Sequence, residues 1–404
     1  MAEVAVLGAG MVGIATALAV QARGHDCVVI DRAPVGSQTS YGNAGIIQAE
    51  AVEPYALPMS PLALLAMAFG AKNALDLHWP SLPRQVPALS AYWRNSLPSA
   101  LGKVIPLWRQ LVSEALECHG ALIAASGADG LIRRDGYWEA HATEAGFATA
   151  IRNAERRRQL YGLDFAIADP AGLSRAEPAL RGSLAGAIHW TSPWTCRSPG
   201  ELVGAYGKLF EAKGGHIVSG DAHTLTRAGA GWQVAGEDVE RVVVALGPWS
   251  PSLLATLGYH VPMVRKRGYH RHYEGDPGLS RPMLLADHSV VLSPMRQGLR
   301  IATAAELSDA APQVHPRQLA RGEAVGRALL DLGPPVEPVP WSGTRPCLPG
   351  MLPLVCAAPR HPGLWLHFGH GHQGFTLGPV TAERLARAMD GDRAAIHGLD
   401  RGMR

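Results

Sequence analysis

The opening thirty-one residues constrain this chain more tightly than any other part of it. Val4 to Leu7 is an unbroken apolar run of strand length, the pattern of a strand covered on both faces. It leads into Gly8-Ala-Gly10-Met11-Val12-Gly13, then an apolar helical stretch to about Arg23, with Gly24 placed to stop it. A second strand over 27–30 ends at Asp31. Gly8 permits a tight turn, Gly10 leaves space for a pyrophosphate against bare backbone, and Gly13 lets the helix pack on the strand. Asp31 lies 18 residues past Gly13, where an acid bonds ribose hydroxyls. Glycine spacing alone is weak evidence. Strand, helix, second strand and terminal acid in register specify a Rossmann-type dinucleotide site. The acid argues against a 2′-phosphate, hence against NADP, and leaves NAD and FAD open.

The next segment leans toward a flavin. Residues 36–45 hold Thr39, Ser40, Asn43, Ala44 and Gly45, just after Asp31 and Arg32. Hydroxyls, an amide and small residues suit a loop over pyrophosphate and ribityl oxygens, where a plain NAD unit would continue into a helix. Read alone, the segment is equally a polar turn.

Composition narrows the class. With 404 residues, 47% of them hydrophobic, the chain forms a folded protein of two or more units. Charged residues are 18%, below the usual ~25%, so neutral surface is left for a cofactor, a partner or a membrane face. Net charge is +3 from 37 basic and 34 acidic residues, too balanced for a nucleic-acid partner. Five cysteines without a CxxC spacing predict reduced thiols in the cytoplasm. The apolar run 4–22 lacks a basic start and a cleavage site, so it is not read as a signal peptide. Leu62 to Ala71 is too short to span a bilayer; it is read as core, with a peripheral membrane face as the alternative.

The middle of the chain predicts short helices at 62–69, 89–96 and 107–117, a strand or hairpin over 131–139, and a charged helix to Tyr161. A strand follows at 186–190, a helix from Ser198, a strand at 216–219, and a buried strand from Arg241 that turns at 245–250. Antiparallel strands near 263–273, 289–293 and 299–303 precede an exposed helix at 317–332. Two C-terminal segments carry chemistry: Trp341-Ser-Gly-Thr-Arg345-Pro and Phe368-Gly-His370-Gly371-His372-Gln373-Gly374-Phe375-Thr376-Leu-Gly-Pro379. Pro379 fits the first turn of a helix over 380–389. The glycines bare backbone N–H groups for a planar ligand, and a helix N-terminus there would favour an anionic reduced ring. His367, His370 and His372 share no fixed facial geometry, so no metal is expected. His370 is read as a flavin-side donor and His372 as facing substrate. Arg345 suits a carboxylate, which needs a planar bidentate cation; Arg300 is the weaker second candidate.

With these motifs at both ends, the chain resembles the D-amino-acid oxidase superfamily of flavoenzymes. Within it the chain is most similar to bacterial D-amino-acid dehydrogenases, D-hydroxyproline dehydrogenase-like members included. The resemblance implies an α/β fold: a Rossmann-type FAD-binding domain of 1–55, 190–258 and 340–404, interleaved with an α+β substrate domain of 56–189 and 259–339 built on an antiparallel sheet. It implies non-covalent FAD, since the spacing around Cys347 differs from that of covalently flavinylated relatives. Ala222 is placed by the adenosine, and Ala245, Gly247 and Trp249 beside the flavin half. The carboxylate-binding role falls to Arg345, with Tyr269, His270 and His372 facing substrate. The implied reaction oxidises a D-amino acid, D-hydroxyproline or another small or cyclic one among them, to an imino acid by hydride transfer to the flavin. The alternatives are a secondary-amine (sarcosine-, proline- or opine-type) oxidase or dehydrogenase and a non-catalytic FAD subunit of a heteromeric dehydrogenase. The electron acceptor (oxygen, quinone or a partner protein), homo- or hetero-oligomer formation, and attachment to the inner face of the cell membrane stay open at this level.

Overall fold

The computed structural model describes residues 2–70 and 73–401. Met1, Ala71, Lys72 and 402–404, which include the outer ends of the expected cofactor domain and the last residue of the Leu62–Ala71 run, lie outside the described residues.

The strands Val4–Leu7, Cys27–Asp31 and Arg241–Val244 are almost wholly apolar because both faces of their sheet are covered, whereas the edge strand His216–Ser219 stays part-exposed. Its six strands run in the order 216–219, 27–31, 4–7, 241–244, 364–368, 354–357, parallel except for the last pair. Alternate residues divide between two cores. Val4, Val6, Val29 and Val243 pack under helices Met11–Ala22, Pro98–Ser126, Pro199–Ala212 and Gly374–Met389. Ala5, Leu7, Val28, Val242 and Val244 pack against a three-stranded meander carrying Trp232 and Val234. The helix after Gly10 lies directly on the first strand: a Cβ at Gly13 would stand 1.8 Å from the Gly8 carbonyl oxygen.

A second, ten-stranded sheet faces this unit. Its central strand Val264–Tyr273 pairs with Gly298–Thr303 and Ala305–Leu307 on one edge and with Trp341–Cys347 on the other. Helix Arg317–Leu329 covers it through Leu319, Gly322, Gly326 and Leu329, so this helix is half-buried and not the exposed one expected.

Several sequence boundaries are corrected. Strand Trp341–Cys347, assigned to the cofactor unit, belongs to the second sheet by seven paired residues. Helix Pro98–Ser126, assigned to the substrate unit, buries Trp108, Leu111 and Val112 in the cofactor core. It is one helix of 29 residues, since Pro98 sits in its first turn and Pro106 interrupts only one bond. Residues 131–139 are not a hairpin: Ile132–Arg133 pairs with 194–196, and Tyr137–His141 with 186–190 and 283–285. Helix Pro61–Ala68 buries none of its residues, so the core reading of that stretch fails.

The C-terminal helix begins at Gly374, not at 380, and Pro379 lies inside it. Proline removes the N–H that would serve the carbonyl four residues back, at Phe375. That carbonyl instead accepts from His119 Nε2 at 2.8 Å, from the long helix alongside. Burial holds the His119 pKa at about 4, so the ring is neutral and the proton sits on the nitrogen that needs it. His119→Leu, which fills space but cannot donate, is therefore expected to destabilise the protein by ~1–3 kcal/mol, read by urea unfolding at fixed FAD concentration.

Candidate active site and cofactor cleft

A cavity of about 310 Å³ runs between the two sheets, at the lower end of the ~300–1,000 Å³ common for small-molecule sites. One end is built by the first βαβ unit. Gly8 has φ +114°, open to glycine and strained for other residues. Asp31 Oδ2 accepts the Ala9 N–H at 2.7 Å and Oδ1 the Ala33 N–H at 2.9 Å. Each oxygen keeps a lone pair for a ribose hydroxyl. Arg32 lies 5.8 Å over the Trp249 ring, and Ala222, Ala245 and Gly247 complete this wall, so Ala245, Gly247 and Trp249, expected beside the flavin half, stand with Gly8 and Asp31 at the nucleotide end instead.

The middle is spanned by the 39–45 loop against the N-terminus of helix Met11–Ala22. Gly10, Met11, Val12, Thr39, Ser40, Asn43 and Ala44 all line the cavity. Ser40 Oγ accepts the Met11 N–H at 2.9 Å, and a Cβ at Gly10 would come within 3.2 Å of that hydroxyl. Thr39 Oγ1 is buried without a partner. An orphaned hydroxyl, a cradle closed to side chains and a helix N-terminus together fit a diphosphate. Gly13 and Gly45 do not line the cavity; each is fixed by packing, a Gly45 Cβ meeting the Cys196 carbonyl at 2.2 Å.

Toward the other end, His370, Gly371, Gly374 and Phe375 present the start of the C-terminal helix. His370 Nε2 and His367 Nε2 both meet Thr381 Oγ1, at 2.9 and 2.8 Å. Gln373 and Thr376, expected on the cofactor, turn instead to Gln48. Gln373 Nε2 donates to its side-chain oxygen at 2.6 Å, and Thr376 Oγ1 accepts its backbone N–H at 3.1 Å.

At this end Arg345 lies on the wall. Its guanidinium donates to the Ala304 and Thr303 carbonyls, which uses two of five N–H groups. Among the described residues no carboxylate comes within ion-pair distance of it. Burial disfavours its charge and pulls its pKa down. It rests on Gly268, directly beneath: a Cβ there would be 2.7 Å from Nη2. Tyr269 lines the cavity at its strand, but its side chain takes the face opposite to Arg345, where its hydroxyl donates to Glu306 at 2.6 Å and accepts the Gln313 N–H, so it is not free for substrate as expected. His372 lines the cavity beside Tyr55, ring centres 5.0 Å apart. Burial, then Arg345 and Lys266, hold its pKa far down, so it is neutral.

His270 and Arg300 are placed elsewhere than expected. His270 is 1% exposed and stacks on Trp341 at 4.7 Å, behind the cavity wall. Trp341 in turn fills space that side chains at Gly42 and Gly343 would occupy, 1.8 and 2.1 Å from its ring. Arg300 bonds backbone of the 39–45 loop and is not free for a carboxylate. His270, His272 and Glu337 come within metal-ligating distance of one another. Both nitrogens of His272 are already engaged, by Glu337 and by Arg300, so the cluster is an ion-pair relay.

Sequence reasoning missed Gln48, Tyr55, Tyr137, Leu284, Val291 and Trp341, all on the wall. Gln48 follows the polar loop by three residues and was within reach of that argument. Tyr137, Leu284 and Val291 are set by strand pairings that no local pattern encodes.

The chain has known relatives over nearly its whole length. The model of the DAO family, FAD dependent oxidoreductase, matches residues 3–388. A D-amino acid dehydrogenase of Cereibacter sphaeroides is 29% identical over 434 aligned positions, covering 99% of this chain and 94% of that one. A D-amino-acid oxidase of Bradyrhizobium diazoefficiens is 28% identical, with coverage of 98% and 96%. Among solved structures, glycine oxidase from Bacillus cereus superposes with a TM-score of 0.70 at 18% identity, covering 100% of this chain and 98% of that one.

The buried histidines make stability acid-sensitive. Unfolded histidine takes a proton near pH ~6.5, whereas burial holds His119 at about 4 and His370 at about 3 in the folded chain. Below pH ~6.5 the unfolded state therefore binds more protons, and stability falls as pH falls. Each of the two is expected to remove about 2 kcal/mol between pH 7 and pH 5, measured by urea unfolding at both values.

Proposed function

Because the chain belongs to the DAO family of FAD-dependent oxidoreductases, we propose that it oxidises the Cα–N bond of a D-amino acid to the imino acid. The observation that carries this reading is Arg345: a half-buried guanidinium on the cavity wall, without a carboxylate partner among the described residues. A substrate α-carboxylate supplies the missing anion, and the remaining N–H groups supply the planar fork.

FAD, when bound, provides a two-electron acceptor for the Cα hydrogen. It would be held by Asp31, the 39–45 loop, the first helix N-terminus and the 370–375 turn. Among the described residues, those of 1–55, 190–258 and 340–404 would form its unit, with strand 341–347 exchanged for helix 98–126. The FAD is non-covalent: Cys347 lines a separate small cavity with Tyr92 and Met351, and burial keeps it a thiol. Arg345 fixes the carboxylate, and Trp341 flanks it. Asp31 and Asp221 are the only carboxylates lining the cavity among the described residues, both at the nucleotide end. Burial and the nearby cations make His372 too weak a base to take the amine proton, and among the described residues no carboxylate stands at that end to accept it. The amine thus sheds its proton to water, and its lone pair assists loss of the Cα hydrogen. Ile46, Leu284, Val291 and Ala302 leave an apolar wall for the side chain. Apolar D-amino acids are the substrates this wall favours over charged ones.

Anaerobic addition of D-alanine or D-valine is expected to bleach the flavin band, and the L-enantiomers to leave it. Arg345→Lys and Gly268→Ala should each raise KM about tenfold or more at unchanged flavin content. Bleaching by sarcosine or proline derivatives alone would favour the secondary-amine reading. No bleaching by any amine would favour the non-catalytic subunit.

The acceptor side has its own surface. Leu62, Leu65, Phe69, Trp79 and Val86 are at least half exposed, Leu62 reaching 78%. Between 55 and 110 the sequence holds five basic residues against one acid, and that acid, Asp76, pairs with Arg317. Apolar side chains among cations match an anionic lipid surface, and no helix among the described residues is long and apolar enough to cross a membrane. The protein is expected to co-sediment with phosphatidylglycerol vesicles and not with phosphatidylcholine vesicles, and Leu62→Glu with Phe69→Glu to abolish it. Equal recovery with both vesicles, or none, would remove the membrane face.

A further inference from the structure

The 39–45 loop walls the cofactor cleft, yet its carbonyls are held from the opposite side. Arg300, 2% exposed on strand Gly298–Thr303, donates from Nη1 to the Tyr41 oxygen at 2.8 Å and to the Asn43 oxygen at 2.5 Å. Ser293, its partner across the strand pair, donates to the Ala44 oxygen at 2.9 Å. The Cys196 N–H takes the Gly45 oxygen at 2.6 Å. In a trans peptide the C=O and the following N–H point in opposite directions. With the 41 and 43 carbonyls drawn into the sheet, the Gly42 and Ala44 N–H groups turn away from it. Both residues line the cavity, and neither N–H has a protein partner among the described residues.

Arg300 is itself held. Its Nε donates to His272 Nε2 at 3.0 Å. That nitrogen is an acceptor, so the His272 proton sits on Nδ1 and is donated to Glu337 at 2.5 Å. Glu337 also accepts the His272 backbone N–H at 2.8 Å. Burial pushes the Glu337 pKa up, and the bonds from His272 outweigh it, so the carboxylate stays ionised. Burial brings Arg300 down to about 10, still a cation at neutral pH. The relay thus sets an anion behind the guanidinium through one neutral imidazole, while the guanidinium faces the loop.

We propose that Arg300, backed by His272 and Glu337, is a positioning residue for the diphosphate of the bound dinucleotide: it holds the loop carbonyls in the sheet, turns the Gly42 and Ala44 N–H groups to the cleft, and adds a buried positive charge behind them. This rests on the FAD reading and is independent of which amine is oxidised, because its test reads cofactor binding.

The test measures dissociation constants of FAD by flavin fluorescence, and of ADP by competition with it, for wild type, Arg300→Lys, Arg300→Met, Ser293→Ala and Glu337→Gln. ADP carries the diphosphate without the flavin. Arg300→Met is expected to weaken both about tenfold or more, with Arg300→Lys recovering part of the loss. KM for the amino acid, taken at saturating FAD, is expected to move less than about twofold. If KM rises tenfold while FAD and ADP affinities hold, Arg300 serves substrate and the proposal is overturned. Should Arg300→Met fail to fold, Glu337→Gln and Ser293→Ala decide. A several-fold loss of ADP affinity in either supports the positioning role, and wild-type affinity in both overturns it.

Discussion

The antiparallel pairing of Val264–Tyr273 with Trp341–Cys347 is the interaction on which the site depends. It places Gly268 opposite Gly343, and those two bare positions give Arg345 and Trp341 somewhere to lie. The same strand then continues toward the turn that opens the last helix of the cofactor unit. One strand thus fixes the Arg345 guanidinium, a wall of the cavity and the approach to the turn at 371–373. A register slip of one residue would send Arg345 to the far side of the sheet.

How much of this was legible in the sequence follows from how local each feature is. Gly8 to Asp31 announces itself because strand, turn, helix and acid lie within one continuous segment. Arg345 stands on the cavity wall, where its Gly-x-Arg-Pro setting suggested a cation would be. His270 was misplaced because alternation along a strand says which residues share a face but not which neighbour covers it; Trp341, seventy-one residues on, decides that. Arg300 was misread for a related reason. Its partners at 41 and 43 are more than 250 residues distant, and nothing near 300 signals that two carbonyls await it. The extent of the final helix was missed because a proline was taken as a boundary, when a histidine from another helix serves the bond it breaks.

Burial does more of the electrostatic work here than ion pairing. His367, His370 and His372 would be read in isolation as a cationic cluster above an electron-rich ring. Desolvation keeps all three neutral, and two spend a ring nitrogen on one threonine hydroxyl. Among the described residues the cavity therefore has a single uncompensated cation, Arg345, on its wall at one end and two carboxylates, Asp31 and Asp221, at the other. That polarity orders an amphoteric ligand before any specific contact is made.

The wedge of Trp341 between Gly42 and Gly343 has a bearing on how the two binding events communicate. Gly42 belongs to the loop over the cofactor and Gly343 to the strand that carries Arg345, so the indole touches both with no slack on either side. Any ligand that stiffens the loop narrows the positions open to the indole, and so those open to the strand beneath it. Loop and strand cannot move independently in such an arrangement, and by thermodynamic reciprocity any factor by which cofactor occupancy changes amino-acid affinity is the factor by which the amino acid changes cofactor affinity. Flavin retention is then a quantity that substrate supply can move.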